Sequence, residues 1–205
     1  MMASVVSSPA MSRHSPFSRI DMTITMGLDI ETTGFLGPDH RIVEVYLGIW
    51  KGEKLIWKYE QRIDPERSMP AEAQRVHGIS STDLIGQPKW ADVAPTIHKA
   101  ITKAELMVWH NGNDFDGPFL DQEFSRVGLS PICKTKTSLD TMLEGVWSTH
   151  NGKKPRLEEL CFACGVPYDP ALAHAAAYDV DRMMQAFFEG RKMGFFNLTN
   201  QEQAA

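Results

Sequence analysis

The sequence predicts an α/β fold in which a mixed β-sheet is covered by helices. Three strand-like segments follow one another early in the chain, which indicates an antiparallel meander. After them, segments with helical spacing alternate with short apolar runs, the order typical of helices packed against a sheet. The 205 residues are enough for one domain with a sizeable core, and no internal repeat or second domain is evident.

The first three strands are predicted from alternation and from one turn. From Met22 to Glu31, apolar side chains alternate with polar ones, so Asp29 and Glu31 would share one face of a strand. A second strand is expected over residues 42–50 and a third over residues 54–63. Lys51-Gly52 between them is typical of a hairpin turn.

The later elements follow from helical spacing and from short apolar runs. Helices are expected over residues 70–76, 90–102, 115–124, 157–164 and 180–188, and short strands over residues 106–109 and 138–140. The last helix has the clearest apolar stripe, and Gly190 is predicted to end it.

The folded domain is expected to span residues 22–194, between two polar ends. Residues 1–21 are rich in serine and lack hydrophobic periodicity, so we expect a disordered N-terminal extension. An organelle transit peptide and an upstream start codon remain alternatives for that segment. Residues 195–205 are expected to form a polar tail.

Composition limits the compartment and the kind of partner. Three cysteines, an odd number, argue against a disulfide scaffold and for a reducing, cytoplasmic compartment. No apolar run is long enough to cross a bilayer, so no membrane association is expected. The net charge is −5, from 26 acidic and 21 basic residues. Either nucleic acid is not the partner or the contact is local, for example through divalent cations bound by an acidic site.

Carboxylates recur at the ends of predicted elements. Asp29 and Glu31 would lie side by side at a strand end, where they repel each other unless a cation lies between them. Asp116 begins a helix, and His174 and Asp179 flank the start of the last helix. Taken singly, each has an ordinary explanation: solvated charges, an aspartate that complements a helix N-terminus capped by Asn113, or a surface histidine. Their occurrence together in one chain favours a catalytic site.

These residues resemble the motifs of the DEDDh, or DnaQ-like, 3′→5′ exonucleases, a family that includes the proofreading epsilon subunit of bacterial DNA polymerase III. The first motif is similar to residues 28–34 (LDIETTG), the second to residues 110–116 (HNGNDFD) and the third to residues 174–179 (HAAAYD). Residues 76–79 and 156–160 also resemble family segments. The second motif has one residue more than the epsilon type, which leaves Asp114 as an alternative to Asp116.

The resemblance implies a ribonuclease H-like fold and hydrolysis assisted by two divalent cations, Mg²⁺ or Mn²⁺. Asp29, Glu31, Asp116 and Asp179 would bind the metals, and His174 would be the general base. Thr32, Thr33, Phe35 and, more weakly, His77 would bind the terminal nucleotide. Lys153, Lys154 and Arg156 form a small basic loop that could meet the substrate backbone.

The expected substrate is single-stranded DNA, from whose 3′ end the enzyme would release 5′-mononucleotides. A polymerase is a candidate partner. An RNA exonuclease of the oligoribonuclease or RNA-trimming kind has the same motifs and remains an alternative. A non-catalytic, polymerase-associated binding module and a hydrolase of small phosphodiesters are two others. The sequence does not indicate an oligomeric state.

Overall fold

The computed structural model describes residues 23–197. It contains five strands: β1 (Ile24–Thr32), β2 (Ile42–Lys51), β3 (Lys54–Arg62), β4 (Leu106–Trp109) and β5 (Ser138–Asp140). Five α-helices accompany them: α1 (Ala71–His77), α2 (Trp90–Lys103), α3 (Asp116–Arg126), α4 (Leu157–Ala163) and α5 (Ala176–Lys192). Met22, predicted to begin the first strand, lies outside the described residues, as do residues 1–21 and 198–205.

The strands form one mixed sheet in the order β3-β2-β1-β4-β5. Strands β1, β2 and β3 pair antiparallel, as the predicted meander requires, whereas β4 and β5 run parallel to β1. The predicted α/β fold, with a three-stranded meander and shorter strands flanked by helices, is confirmed. Strand β1 occupies the centre of the sheet, so its end is a natural place for a site.

Helices cover both faces of the sheet. On one face, the apolar residues of β1 (Met26, Leu28 and Ile30) pack in a buried cluster with α2 and α3. On the other face, α4 and α5 pack in a second buried cluster. Gly27 lets α5 approach β1 closely, because a Cβ there would lie 2.8 Å from Met184 Cγ and 2.9 Å from Val180 Cγ1. This approach brings the start of α5 beside the polar face of β1.

Two predicted boundaries at the C-terminal end are corrected. The last helix continues through Gly190 to Lys192. A glycine is needed at position 190 because the Cβ of any other residue would lie 2.7 Å from the Phe196 ring. Phe195 stacks on Trp147 and Phe196 is buried in the core, so the packed part of the chain continues beyond residue 194. The prediction of a polar tail from residue 195 is therefore wrong at its start, and its remainder lies outside the described residues.

Candidate active site

Strand β1 brings two acidic residues to one end of the sheet. Asp29 and Glu31 alternate with the buried Leu28 and Ile30, as the strand period predicts, and both are partly buried. Both line a cavity of about 610 Å³, which we call the terminal pocket. Within this pocket they face residues from three other segments of the chain.

Asp116 joins the two β1 carboxylates in the terminal pocket, whereas Asp114 does not. Asp116 is buried, with 3% of its surface exposed, and its Oδ1 accepts a hydrogen bond of 3.1 Å from the backbone N–H of Ile30 in β1. The Asp114 side chain is 68% exposed, and its nearest ionic partner is Lys154 at 3.9 Å. Asn113 does not cap α3; its Oδ1 accepts a hydrogen bond from Trp109 Nε1. Of the two aspartates, Asp116 is therefore the one placed among the other carboxylates.

Asp179 and His174 also line the terminal pocket. Asp179 lies in the first turn of α5, and its Oδ2 accepts a 2.8 Å hydrogen bond from the backbone N–H of His174. That bond fixes the loop before the helix, in which His174 has a positive φ of 62°. A positive φ is uncommon for residues other than glycine and often marks a functional site. The His174 side chain is exposed and lines the terminal pocket with Asp179.

Burial and neighbouring charges oppose the ionisation of the four carboxylates. Burial, and then the charges of Asp116, Glu31 and Asp179, raise the pKa of Asp29 well above its ordinary value. Burial and the charge of Asp179 raise the pKa of Glu31 to about 9. Burial raises the pKa of Asp116 to about 7, although the Ile30 N–H partly offsets it. Burial also raises the pKa of Asp179.

The donor chemistry of this cluster fits divalent cations. The cluster consists of carboxylate oxygens, which hard cations prefer, and among residues 23–197 no lysine or arginine forms an ion pair with any of the four. In the side-chain conformations present, no three His, Cys, Asp or Glu residues of this part of the chain converge closely enough to enclose an ion. Mg²⁺ usually keeps several of its waters and is held by one or two carboxylates, so a closed cage of side chains is not required.

The terminal pocket has the predicted nucleotide-binding residues on one wall. Thr32 and Thr33 are buried, and Thr33 Oγ1 accepts a hydrogen bond from the backbone N–H of Arg41. Phe35 follows them at the rim with 85% of its surface exposed. His77 lies on the wall and shapes the turn: its Nδ1 accepts from the Ile79 N–H, which leaves Nε2 to donate to the Thr32 carbonyl at 3.3 Å.

Two residues near the site have roles that sequence reasoning missed. Asp140, at the end of β5, is buried, and its carboxylate accepts hydrogen bonds from the backbone N–H groups of Asn111 and Asn113. It thereby fixes the loop that leads to Asp116. Tyr168 donates a hydrogen bond of 3.4 Å to Asp179 Oδ1. The only signal for Asp140 was its place at a strand end, and none pointed to Tyr168.

Comparison with known proteins decides the family. Residues 26–187 match the model of the family described as exonuclease, of the RNase T type. The chain belongs to this exonuclease family. It is therefore a DnaQ-like 3′→5′ exonuclease, as the resemblance of its motifs predicted, and the match covers Asp29, Asp116 and Asp179.

Two relatives agree with this assignment. The chain is 31% identical to the DNA polymerase III subunit epsilon of Buchnera aphidicola over 74% of this chain and 67% of that protein. It is 32% identical to the same subunit of Rickettsia conorii, over 82% and 75% of the two chains.

Among solved structures, a zinc-bound complex of E. coli exonuclease I with single-stranded DNA matches with a TM-score of 0.73 at 19% identity. That match covers 84% of this chain and 41% of exonuclease I, so the chain spans about two fifths of that protein. At this identity the likeness shows the fold, which is ribonuclease H-like as expected.

Proposed function

We propose that this chain hydrolyses single-stranded DNA from its 3′ end and releases 5′-mononucleotides, with two divalent cations, Mg²⁺ or Mn²⁺, as cofactors. The observation that carries the proposal is the convergence of Asp29, Glu31, Asp116, Asp179 and His174, from three segments of the chain, on one open cavity. Among residues 23–197, no lysine or arginine pairs with these acids, and neighbouring carboxylates help to raise the pKa of Asp29 and Glu31. Without bound cations, such a cluster would only destabilise the fold, which is why it supports a functional site.

Each of the residues that the sequence predicted for the site has a role in the proposed reaction. Asp29, Glu31, Asp116 and Asp179 hold the cations, which when bound supply charge stabilisation at the phosphate and a water of lowered pKa. Thr32, Thr33, Phe35 and His77 hold the terminal nucleotide. His174 accepts the proton of the attacking water. A new P–O bond forms to that water, the bond from phosphorus to the upstream 3′ oxygen breaks, and that oxygen is protonated to a 3′-hydroxyl.

DNA is proposed as the substrate, rather than RNA, because of the relatives. They are named as subunits of a DNA polymerase, and the structurally similar exonuclease I is bound to single-stranded DNA. The same names support a polymerase as a protein partner of this chain. We also propose a cytoplasmic location, which agrees with three cysteines that form no disulfide. Among residues 23–197, no helix combines the length and the apolar character that a membrane span requires.

The test uses 5′-labelled single-stranded DNA and RNA of one sequence, with Mg²⁺, with Mn²⁺ and with EDTA. The expected result is a ladder that shortens from the 3′ end, faster on DNA, and that disappears with EDTA and in Asp29→Asn. Faster degradation of RNA would replace the DNA proposal with the RNA alternative. Degradation of neither by folded protein with metal would favour the binding module or the small-phosphodiester hydrolase, and turnover of a chromogenic thymidine phosphodiester would separate those two.

A further inference from the structure

Three cavities adjoin one another through shared lining residues, and we call this row of cavities the groove. The terminal pocket shares Asp29, His174 and Asp179 with a second cavity of about 600 Å³, which we call the central cavity. The central cavity in turn shares Arg156, Glu158 and Tyr168 with a third cavity of about 710 Å³, the outer cavity. The groove thus continues well beyond the carboxylates, on the side away from Phe35.

An exposed aromatic ring lies in the outer cavity. Phe162 is on α4, whose inner face consists of the fully buried Leu160 and Cys161. The Phe162 side chain is 87% exposed, and it lines the cavity instead of packing against the core. A single exposed phenylalanine is ordinary on a protein surface. Its place at the end of a groove that begins at the catalytic carboxylates is what distinguishes it.

Two cations on the rim of the groove are only weakly held. The Arg156 side chain is 75% exposed and lies 3.7 Å from Glu159, beyond hydrogen-bonding distance. The Lys154 side chain is 53% exposed and lies 3.9 Å from Asp114. Lys153 differs, because its Nζ makes hydrogen bonds of 2.6 and 2.8 Å with Glu159. Lys154 and Arg156 are therefore free to turn towards a phosphate chain, in a protein whose net charge is −5.

We propose that the outer cavity binds the nucleotides upstream of the scissile phosphate in a single-stranded nucleic acid, with a base stacked on Phe162 and phosphates near Lys154 and Arg156. The proposal rests on the proposed function, which places the terminal nucleotide in the terminal pocket. The strand then follows the central cavity to the outer one. An aromatic platform beside flexible cations is the combination that binds single strands without reading sequence.

The experiment compares a thymidine dinucleotide, which the proposal confines to the terminal pocket and central cavity, with a twelve-nucleotide oligothymidylate, which the proposal extends into the outer cavity. The measured quantity is the ratio of kcat/KM for the long substrate to that for the short one. We expect Phe162→Ala to lower this ratio about fivefold or more, since stacking on one aromatic ring contributes at least that factor. Phe162→Trp should preserve the ratio, and Ile85→Ala, a matched loss of an exposed apolar side chain outside the groove, should leave it unchanged.

Charge gives a second readout. Arg156→Gln should reduce the slope of log KM against log salt concentration for the long substrate by about one. A ratio in Phe162→Ala within twofold of the wild-type ratio would overturn the outer-cavity proposal while leaving the exonuclease intact. Hydrolysis of neither substrate by the wild-type protein would overturn the proposed function, and the outer-cavity proposal with it.

Discussion

Replacing Glu31 by glutamine should stabilise the protein when no metal is present. Burial and neighbouring carboxylates raise the pKa of Glu31 from 4.5 to about 9. A raised carboxyl pKa contributes stability below the unfolded pKa and loses it as pH rises towards the folded pKa. At pH 7.5, three units above 4.5, the loss is at most about 4 kcal/mol, at about 1.36 kcal/mol per unit. Since Glu31 is partly exposed, solvent screening reduces this to about 1–2 kcal/mol.

The assay is thermal unfolding in EDTA at pH 5 and pH 7.5. Glu31→Gln should raise the Tm at pH 7.5 by about 2–8 °C, and the gain should shrink at pH 5, because pH 5 lies only about half a unit above 4.5 and the wild type has lost little stability there. Mg²⁺ that binds only the folded state stabilises it. It should raise the Tm of the wild type more than that of the variant, because the variant has lost one of the carboxylates that hold the ion. Asp114→Asn, an exposed carboxylate outside the terminal pocket, is the control and should change little. A lower Tm for Glu31→Gln in EDTA at pH 7.5 would refute the reasoning.

Two further predictions concern residues of the terminal pocket. His174→Asn, chosen because asparagine tolerates the positive φ of that position, should lower kcat about 10²- to 10⁴-fold while the Tm rise with Mg²⁺ persists; a kcat within tenfold of wild type would remove His174 as the base. Phe35→Ala should raise KM for single-stranded DNA about fivefold or more, because the exposed ring stacks on the terminal base. Its neighbour Leu36, which does not line the pocket, gives the matched control Leu36→Ala, and equal KM values in the two variants would contradict the role of Phe35.

The period of the first strand was the most informative feature of the sequence. Alternation alone predicted that Asp29 and Glu31 share a face opposite Leu28 and Ile30, and the structure agrees. Strand period depends only on local backbone geometry, so it can be predicted without knowledge of the tertiary fold. The choice of Asp116 over Asp114 depended instead on family resemblance. Asp114 lies just before the helix that Asp116 begins, so their positions alone do not distinguish them.

Features that depend on distant contacts could not be predicted. Gly190 looked like a helix end, but the Phe196 ring packs where its side chain would be. Asp140 fixes the loop before Asp116 through backbone N–H groups, which carry no sequence signal. The groove from the carboxylates to Phe162 likewise depends on how α4 and α5 pack, and spacing along the chain does not reveal it.

The measurement that tests the central claim most directly is the rate of 3′-end hydrolysis of single-stranded DNA by Asp116→Asn and Asp114→Asn over a Mg²⁺ titration. The two substitutions make the same chemical change two residues apart, one in the buried carboxylate cluster and one on the surface. If the cluster is a metal-dependent exonuclease site, Asp116→Asn loses nearly all activity at every Mg²⁺ concentration, and Asp114→Asn follows the wild-type curve. Wild-type activity in Asp116→Asn, or activity that persists without metal, would contradict the account.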